Sequence, residues 1–248
     1  MSYSTVAVPA VAACAALGVA TYAMVAPTCS FWGPVVYRGE AARSAGRYAL
    51  TFDDGPTVES TPRVLDALAG LGVKATFFCI GANARRSPGI VRRMHDEGHV
   101  VGNHTFDHSH YGVMRRDRYW ERQVGETDAL LTSILGVKPA LFRPPMGMRT
   151  WHVTRAVRRY GYTLVTWTRR AMDGFPTTPE RIVKRLAGPT EAGDILILHD
   201  GIEPNLRRDP AASVAAVAPL VRALRERGLE PATLEELTGV RPYAGLPV

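Results

Sequence analysis

Beyond residue 46 the chain alternates between two kinds of stretch. Short apolar runs at 48–53, 75–80, 99–102, 140–142, 163–168, 194–199 and 230–233 are separated by helix-like stretches near 60–70, 83–97, 116–136, 150–160, 178–188 and 211–228. The runs are mostly continuous rather than alternating, the pattern of strands buried on both faces of a parallel sheet. Gly72, Gly98, Gly136, Gly161 and Gly228 each follow a helix-like stretch, where a glycine at positive φ can end the helix. The expected architecture is α/β, a closed or nearly closed seven-stranded βα barrel, with a flat doubly wound sheet as the alternative. No internal repeat is visible.

The N-terminus reads differently. Residues 1–37 carry no charged side chain, and seventeen of the twenty residues 6–25 are apolar. Twenty helical residues span a bilayer core, although the alanine content makes the drive to insert weak. A small-residue cleavage point lies near Ala20, but the basic flank of a secretory signal is missing. The favoured reading is an apolar helix serving as a membrane anchor over 1–26, ahead of a cleaved signal and of a helix of a soluble domain. Residues 27–46, rich in Pro, Gly and small residues, read as a linker along the domain surface. The domain itself is placed at 47–240 and a tail at 241–248. Arg38, Arg43 and Arg47 follow the apolar run and by charge bias favour a cytoplasmic domain. They lie more than ten positions beyond it, with Glu40 among them, so the expectation is an anchored or secreted, extracytoplasmic protein.

Composition narrows the classes. The 248 residues are 46% hydrophobic and 21% charged, which implies a folded core and excludes bulk disorder. Cys14, Cys29 and Cys79 build neither a disulfide framework nor a CxxC metal site. No phosphate-binding loop or dinucleotide fingerprint occurs. The net charge is +7, and only Lys74, Lys138 and Lys184 among the thirty basic residues are lysines. Such a surface suits an anionic neighbour, a membrane face or an anionic wall polymer. Nucleic acid is not expected, because no binding motif accompanies the arginines.

In a parallel βα architecture the active site lies at the C-terminal ends of the strands. Five of those ends carry chemistry here. Strand one ends in Asp53-Asp54-Gly55-Pro56, and the third is followed by Asn103-His104-Thr105-Phe106-Asp107-His108. The fourth runs into Arg143-Pro144-Pro145-Met146-Gly147, the loop after the fifth carries Asp173, and the sixth ends in His199-Asp200. His104 and His108 are four apart, which on a helix places both imidazoles on one face. Two imidazoles and a carboxylate leave coordination positions open, as a catalytic divalent metal requires. Alone, an HxxxH pair is weak evidence, and an Asp before Gly-Pro commonly forms an Asx turn. His95, His99, Cys79 and Asp200 read as structural, the Arg115–Arg118 run as a solvated helix face, and His110 as a residue that could touch substrate.

Thr51-Phe52-Asp53-Asp54-Gly55-Pro56 with His104-Thr105-x-x-His108 resembles the NodB-type polysaccharide deacetylases, carbohydrate esterase family four, over roughly residues 47–240. The resemblance implies a distorted (β/α)7 barrel and a metal-dependent hydrolase. It assigns Asp53 as general base and Asp54, His104 and His108 as ligands of a divalent metal, zinc with cobalt as the alternative. Arg143 orients Asp53, and the Met146 backbone N–H helps hold the oxyanion. His199 is the general acid, tuned by Asp173. Ile197 and Phe175 are placed against the substrate beside Met146.

Two departures stand out. The third motif has Met146 where an aromatic is usual. The fourth motif, Asp-x-x-Asp-Trp, reads Arg170-Ala171-Met172-Asp173-Gly174. The expected activity is removal of N-acetyl groups from a cell-envelope glycan, peptidoglycan or chitin-like, with the membrane nearby. The alternatives are deformylation or deacylation of a lipid-linked amino sugar, and a degenerate glycan-binding domain.

Overall fold

The computed structural model describes residues 4–204, 206 and 209–245, with only the helical backbone over 4–11. Residues 1–3 of the expected anchor and 246–248 of the expected tail lie outside these. In chain order the elements are α1 (Ser4–Val25), β1 (Arg47–Asp53), α2 (Thr61–Leu71), β2 (Thr76–Cys79), α3 (Gly81–Arg86), α4 (Pro88–Asp96), β3 (Val100–Asn103), α5 (Asp117–Leu135), β4 (Lys138–Pro139), β5 (Leu141–Phe142), α6 (Trp151–Arg159), β6 (Thr163–Leu164), β7 (Arg169–Arg170), α7 (Pro179–Ala187), β8 (Ile195–His199), α8 (Ala211–Glu226), β9 (Glu230–Ala232), α9 (Leu234–Thr238) and β10 (Tyr243–Ala244). The main sheet has the order β6-β5-β3-β2-β1-β8-β7, with β9 also beside β1, and its pairings are parallel. The predicted α/β alternation is therefore present. β10 and β4 form a separate antiparallel pair.

Strand alternation sorts the core into two faces. Leu50, Phe52, Phe77, Leu196 and Leu198 pack with the apolar sides of α2, α7 and α8. Ala49, Phe78, Ile195 and Ile197 occupy the other phase and form the inner face with Leu141 and Trp167. Every residue of β1 after Arg47 is buried, which is why the run shows no polar alternation.

The barrel expectation needs correction at the predicted strand 163–168. Only Thr163 and Leu164 pair with β5, and just past the same run Arg169 and Arg170 pair with β8, toward the other edge of the sheet. One stretch of chain therefore supplies both edge strands, and no ladder among the described residues closes the curled sheet. The gap is filled locally. Val36 bridges to Val165 and exchanges hydrogen bonds with the Leu164 carbonyl and the Thr166 N–H. The Thr168 hydroxyl accepts from the Ile195 N–H at 3.0 Å, replacing a main-chain acceptor. Residues 27–46 thus contribute to the sheet edge as well as covering it.

The predicted helix 83–97 is two helices broken at Ser87, whose φ of −135° is outside the helical region. Pro88 removes an N–H and disfavours helical geometry in the residue before it. Gly72, Gly98, Gly136, Gly161 and Gly228 all adopt positive φ, as expected of chain-ending glycines.

Helix α1 is not a free stalk. Ala23 is buried, and Arg149 donates its backbone N–H to the Met24 carbonyl. Among the described residues no helix is long and apolar enough to cross a membrane. The anchor reading of 1–26 therefore finds no support in the structure.

Candidate active site

Asp53 ends β1 and His199 ends β8, both on the inner phase of their strands, and the parallel register sets them directly opposite. Asp54 would point away if the strand continued. Its φ of 73° breaks the alternation and brings a second carboxylate to the same rim. The turn that follows is tight. A Cβ at Gly55 would sit 2.1 Å from the Asp200 carboxylate, so only glycine fits. Asp200 is buried, and its main-chain and side-chain oxygens accept from the Ser60 and Thr61 hydroxyls at 2.5 Å. It holds the β1–α2 turn, the structural role read from the sequence. Burial, with Asp54 and Asp53 nearby, pushes its carboxyl up to about 7.

Arg143 follows β5 and is completely buried. It donates to Asp53 Oδ1 at 2.7 Å, to Thr51 Oγ1 at 2.8 Å and to the Thr166 carbonyl at 2.9 Å. Its guanidinium lies 4.1 Å from the Phe78 ring centroid and 5.5 Å from that of Trp167. Burial pulls its pKa down and the Asp53 carboxylate opposes that. The pair leaves Asp53 with one oxygen committed and the other, Oδ2, 3.7 Å from His104 Nε2.

His104 and His108 sit on a loop, not on the helical turn that their spacing suggested. Thr105 and His108 both take positive φ. The loop is pinned from α5, where Gln123 Oε1 accepts from the backbone N–H of Phe106 and Asp107. Its rings end 4.8 Å apart. His104 Nδ1 lies 2.7 Å from the Arg143 carbonyl, which can only accept. Nδ1 therefore carries a proton, and Nε2 faces Asp54, 3.5 Å away. His108 Nε2 lies 3.4 Å from the same Asp54 oxygen while its Nδ1 faces Glu203 at 3.4 Å. The three donor atoms lie within 4.8 Å of one another on buried side chains. An oriented carboxylate and two imidazoles turned by outer partners fit a divalent metal. Burial opposes the Asp54 charge, but His108, His104 and His199 together hold its carboxyl well below the usual range.

His199 stands on the other side of Asp54, with Nε2 4.0 Å from Asp54 Oδ2. Asp173 accepts from its Nδ1 and its backbone N–H, both at 2.8 Å, and from the Ser213 hydroxyl at 2.6 Å. Burial works against an imidazolium here. The Asp173 charge and hydrogen bond outweigh it, and His199 is pushed up to about 9.

These groups open into a cleft of about 430 Å³, whose apolar walls include Met146, Trp167, Phe175 and Ile197. Met146 takes a left-handed φ of 55°, and Phe175 stands exposed at the mouth. All ten residues expected at the site are thus in one place. Glu203, Ser213 and Thr166, which face or hydrogen-bond its residues, carry no motif signal. His110, which the sequence offers only as a residue that could touch substrate, lines the cleft and contacts Glu203 at 2.7 Å.

The polysaccharide deacetylase family profile matches residues 41–165. A peptidoglycan-N-acetylglucosamine deacetylase of Bacillus cereus is 33% identical over 189 residues, 76% of this chain and 67% of that protein. A chitooligosaccharide deacetylase of Sinorhizobium fredii is 37% identical over 185 residues, 72% of this chain and 86% of that protein. The crystal structure of the Bc1960 peptidoglycan N-acetylglucosamine deacetylase superposes with a TM-score of 0.75 at 29% identity, covering 84% of this chain and 94% of its own. Sequence, fold and site geometry agree: the chain is a hydrolase belonging to the polysaccharide deacetylase family.

Proposed function

We propose that this protein is a metal-dependent N-deacetylase that removes acetyl groups from an N-acetylated cell-envelope glycan outside the cytoplasm. The observation that carries the reading is the placement of Asp53 and His199, register partners on adjacent strands, on either side of the Asp54–His104–His108 donor set. The names of the relatives support the substrate class, peptidoglycan or chitin-like glycan. Asp54, His104 and His108 would hold the metal, zinc with cobalt able to replace it. When bound, that ion supplies Lewis acidity to the acetamide carbonyl and lowers the pKa of nearby water.

The chain's own groups divide the proton transfers. Asp53 Oδ1 is fixed by Arg143, so Oδ2 accepts the proton of the water whose oxygen bonds to the carbonyl carbon. The Met146 backbone N–H donates to the oxygen that becomes negative. The imidazolium of His199, maintained by Asp173, protonates the amide nitrogen as the C–N bond breaks. Acetate and the amine leave, Asp53 gives up its proton and His199 regains one through solvent, which restores both groups. The test is acetate release from peptidoglycan and chitooligosaccharides by the zinc-loaded full chain, beside Asp53→Asn and a chelated sample. Release abolished in both controls supports the reading. Undiminished release by Asp53→Asn overturns the base assignment, and no release from either glycan overturns the activity.

A further inference from the structure

Strand β7 consists of two arginines that face opposite ways. Arg169 is tied down, its Nε 2.8 Å from Asp194 Oδ2. Arg170 is exposed and lines the catalytic cleft. It pairs in the ladder with Ile197, two residues before His199, which places its backbone roughly 7 Å behind the end of β8. The cleft's carboxylates are all matched. Asp53 has Arg143 at 2.7 Å, Asp173 has His199 at 2.8 Å, Glu203 has His110 at 2.7 Å, and Asp54 faces both His104 and His108. Among the described residues no ion pair and no hydrogen bond engages the Arg170 side chain. It is a guanidinium pointed into a reaction cleft with its donors unspent, beside the apolar walls of Met146 and Phe175 that strengthen local charge interactions.

We propose that Arg170 is a specificity-determining residue that binds an oxyanion, carboxylate or phosphate, on a sugar of the substrate chain, so that the enzyme prefers an acidic N-acetylated glycan to a neutral one. The proposal rests on the deacetylase reading above. A guanidinium fork accepts either oxyanion in a bidentate pair, and a lysine at the same place supplies charge without the fork. The side chain stays hydrated in the free protein, so binding costs little desolvation. The pair is then worth about 1.4 kcal/mol, roughly ten-fold in selectivity.

The test compares kcat/KM of the zinc-loaded full chain on three substrates: a neutral chitotetraose, a tetrasaccharide carrying lactyl-ether carboxylates on alternate sugars, and a chitotetraose bearing one phosphate. Arg170→Gln is expected to reduce the acidic-to-neutral ratio about ten-fold, Arg170→Lys to reduce it partway, and added salt to narrow the wild-type preference. The arm with the larger change identifies the anion. A ratio unchanged within about two-fold in Arg170→Gln, on both acidic substrates, overturns the proposal. Binding keeps the two readings separate. Calorimetry of the three glycans on Asp53→Asn, with and without Arg170→Gln, measures anion preference without turnover. If the wild type releases no acetate, the deacetylase reading fails, while loss of acid-selective binding in the double variant still supports Arg170 as the anion-binding residue.

Discussion

Arg143 reaches Asp53 with a single 2.7 Å charge-assisted hydrogen bond and also donates to Thr51 Oγ1 and to the Thr166 carbonyl. The arginine is therefore a fixed bracket between β1 and the segment that joins β6 to β7, and the orientation of Asp53, the proposed base, depends on it. Arg143→Lys keeps a positive charge but cannot span all three acceptors. We expect kcat to fall by about 10²-fold, the size of a displaced general base, with zinc still bound because Asp54, His104 and His108 are untouched. Steady-state kinetics with equilibrium dialysis of zinc checks both halves. Loss of zinc together with activity would move the role of Arg143 to the metal site.

Asp173 accepts three hydrogen bonds, two from His199 and one from Ser213. Replacing it by Asn keeps the shape and removes the charge that holds the imidazolium. Asp173→Asn is expected to lower kcat by about 10²-fold on amides. An activated ester whose leaving group needs no proton should be hydrolysed nearly as well as by the wild type. Equal losses on amide and ester would mean that Asp173 supports the fold and not proton delivery.

Much of this was legible because the chemistry is local in sequence. Asp53, Asp54, His104, His108 and His199 each stand at the end of an apolar run, and strand periodicity alone directs Asp53 and His199 to one face. The remainder depends on distance. Glu203 reaches His108 and Ser213 reaches Asp173 across loops, and no spacing rule links such pairs. The interrupted run 163–170 was hidden for a related reason. Its residues are uniformly strand-like, and only the side-chain bond from Thr168 and the insertion of Val36 show where the ladder parts. The apolar 6–25 run reads as an anchor from hydropathy alone, which records what a segment avoids, not what it packs on. Its C-terminal end is held by Arg149.

His99 gives a pH dependence away from the catalytic groups. It is buried, accepts from the Ala75 N–H at Nδ1 over 3.1 Å and lies edge-on to Phe77. Burial, reinforced by Lys74, pushes it down to about 4 from 6.5. Above pH 6.5 the ring is neutral in both states and costs nothing. Below that, the unfolded chain takes a proton that the folded chain refuses, so stability is lost as pH falls from 6.5 toward 4. The shift corresponds to about 3 kcal/mol at most. His99→Gln should flatten this part of the profile. Urea unfolding of metal-free wild type and variant at pH 7 and 4.5 measures it, and parallel losses in the two proteins would exclude His99 as the source.

Arg149 ties the end of α1 to the catalytic side of the domain. It is buried and donates to the carbonyls of Ala26, Pro27 and Cys29, just beyond the end of α1, at 2.6 to 2.9 Å. The Pro27 carbonyl also accepts from Thr166 Oγ1 at 2.7 Å, and the Thr166 carbonyl holds Arg143. Val25 lines the cleft itself. A chain beginning at residue 38 therefore loses all three acceptors, leaves the Arg149 guanidinium without them and frees one wall of the cleft. Water would rehydrate the exposed arginine and recover part of the loss, so the expected cost is about 2 kcal/mol, a fall in Tm of roughly 4 to 8 °C. Activity should fall with it, because Thr166 no longer fixes the main chain that positions Arg143. A chain beginning at residue 20 keeps every one of these contacts and should match the full protein in both respects. Thermal melts and acetate release from the two truncations decide it: if the chain starting at 38 is as stable and as active as the one starting at 20, the α1 terminus is a passenger on the fold.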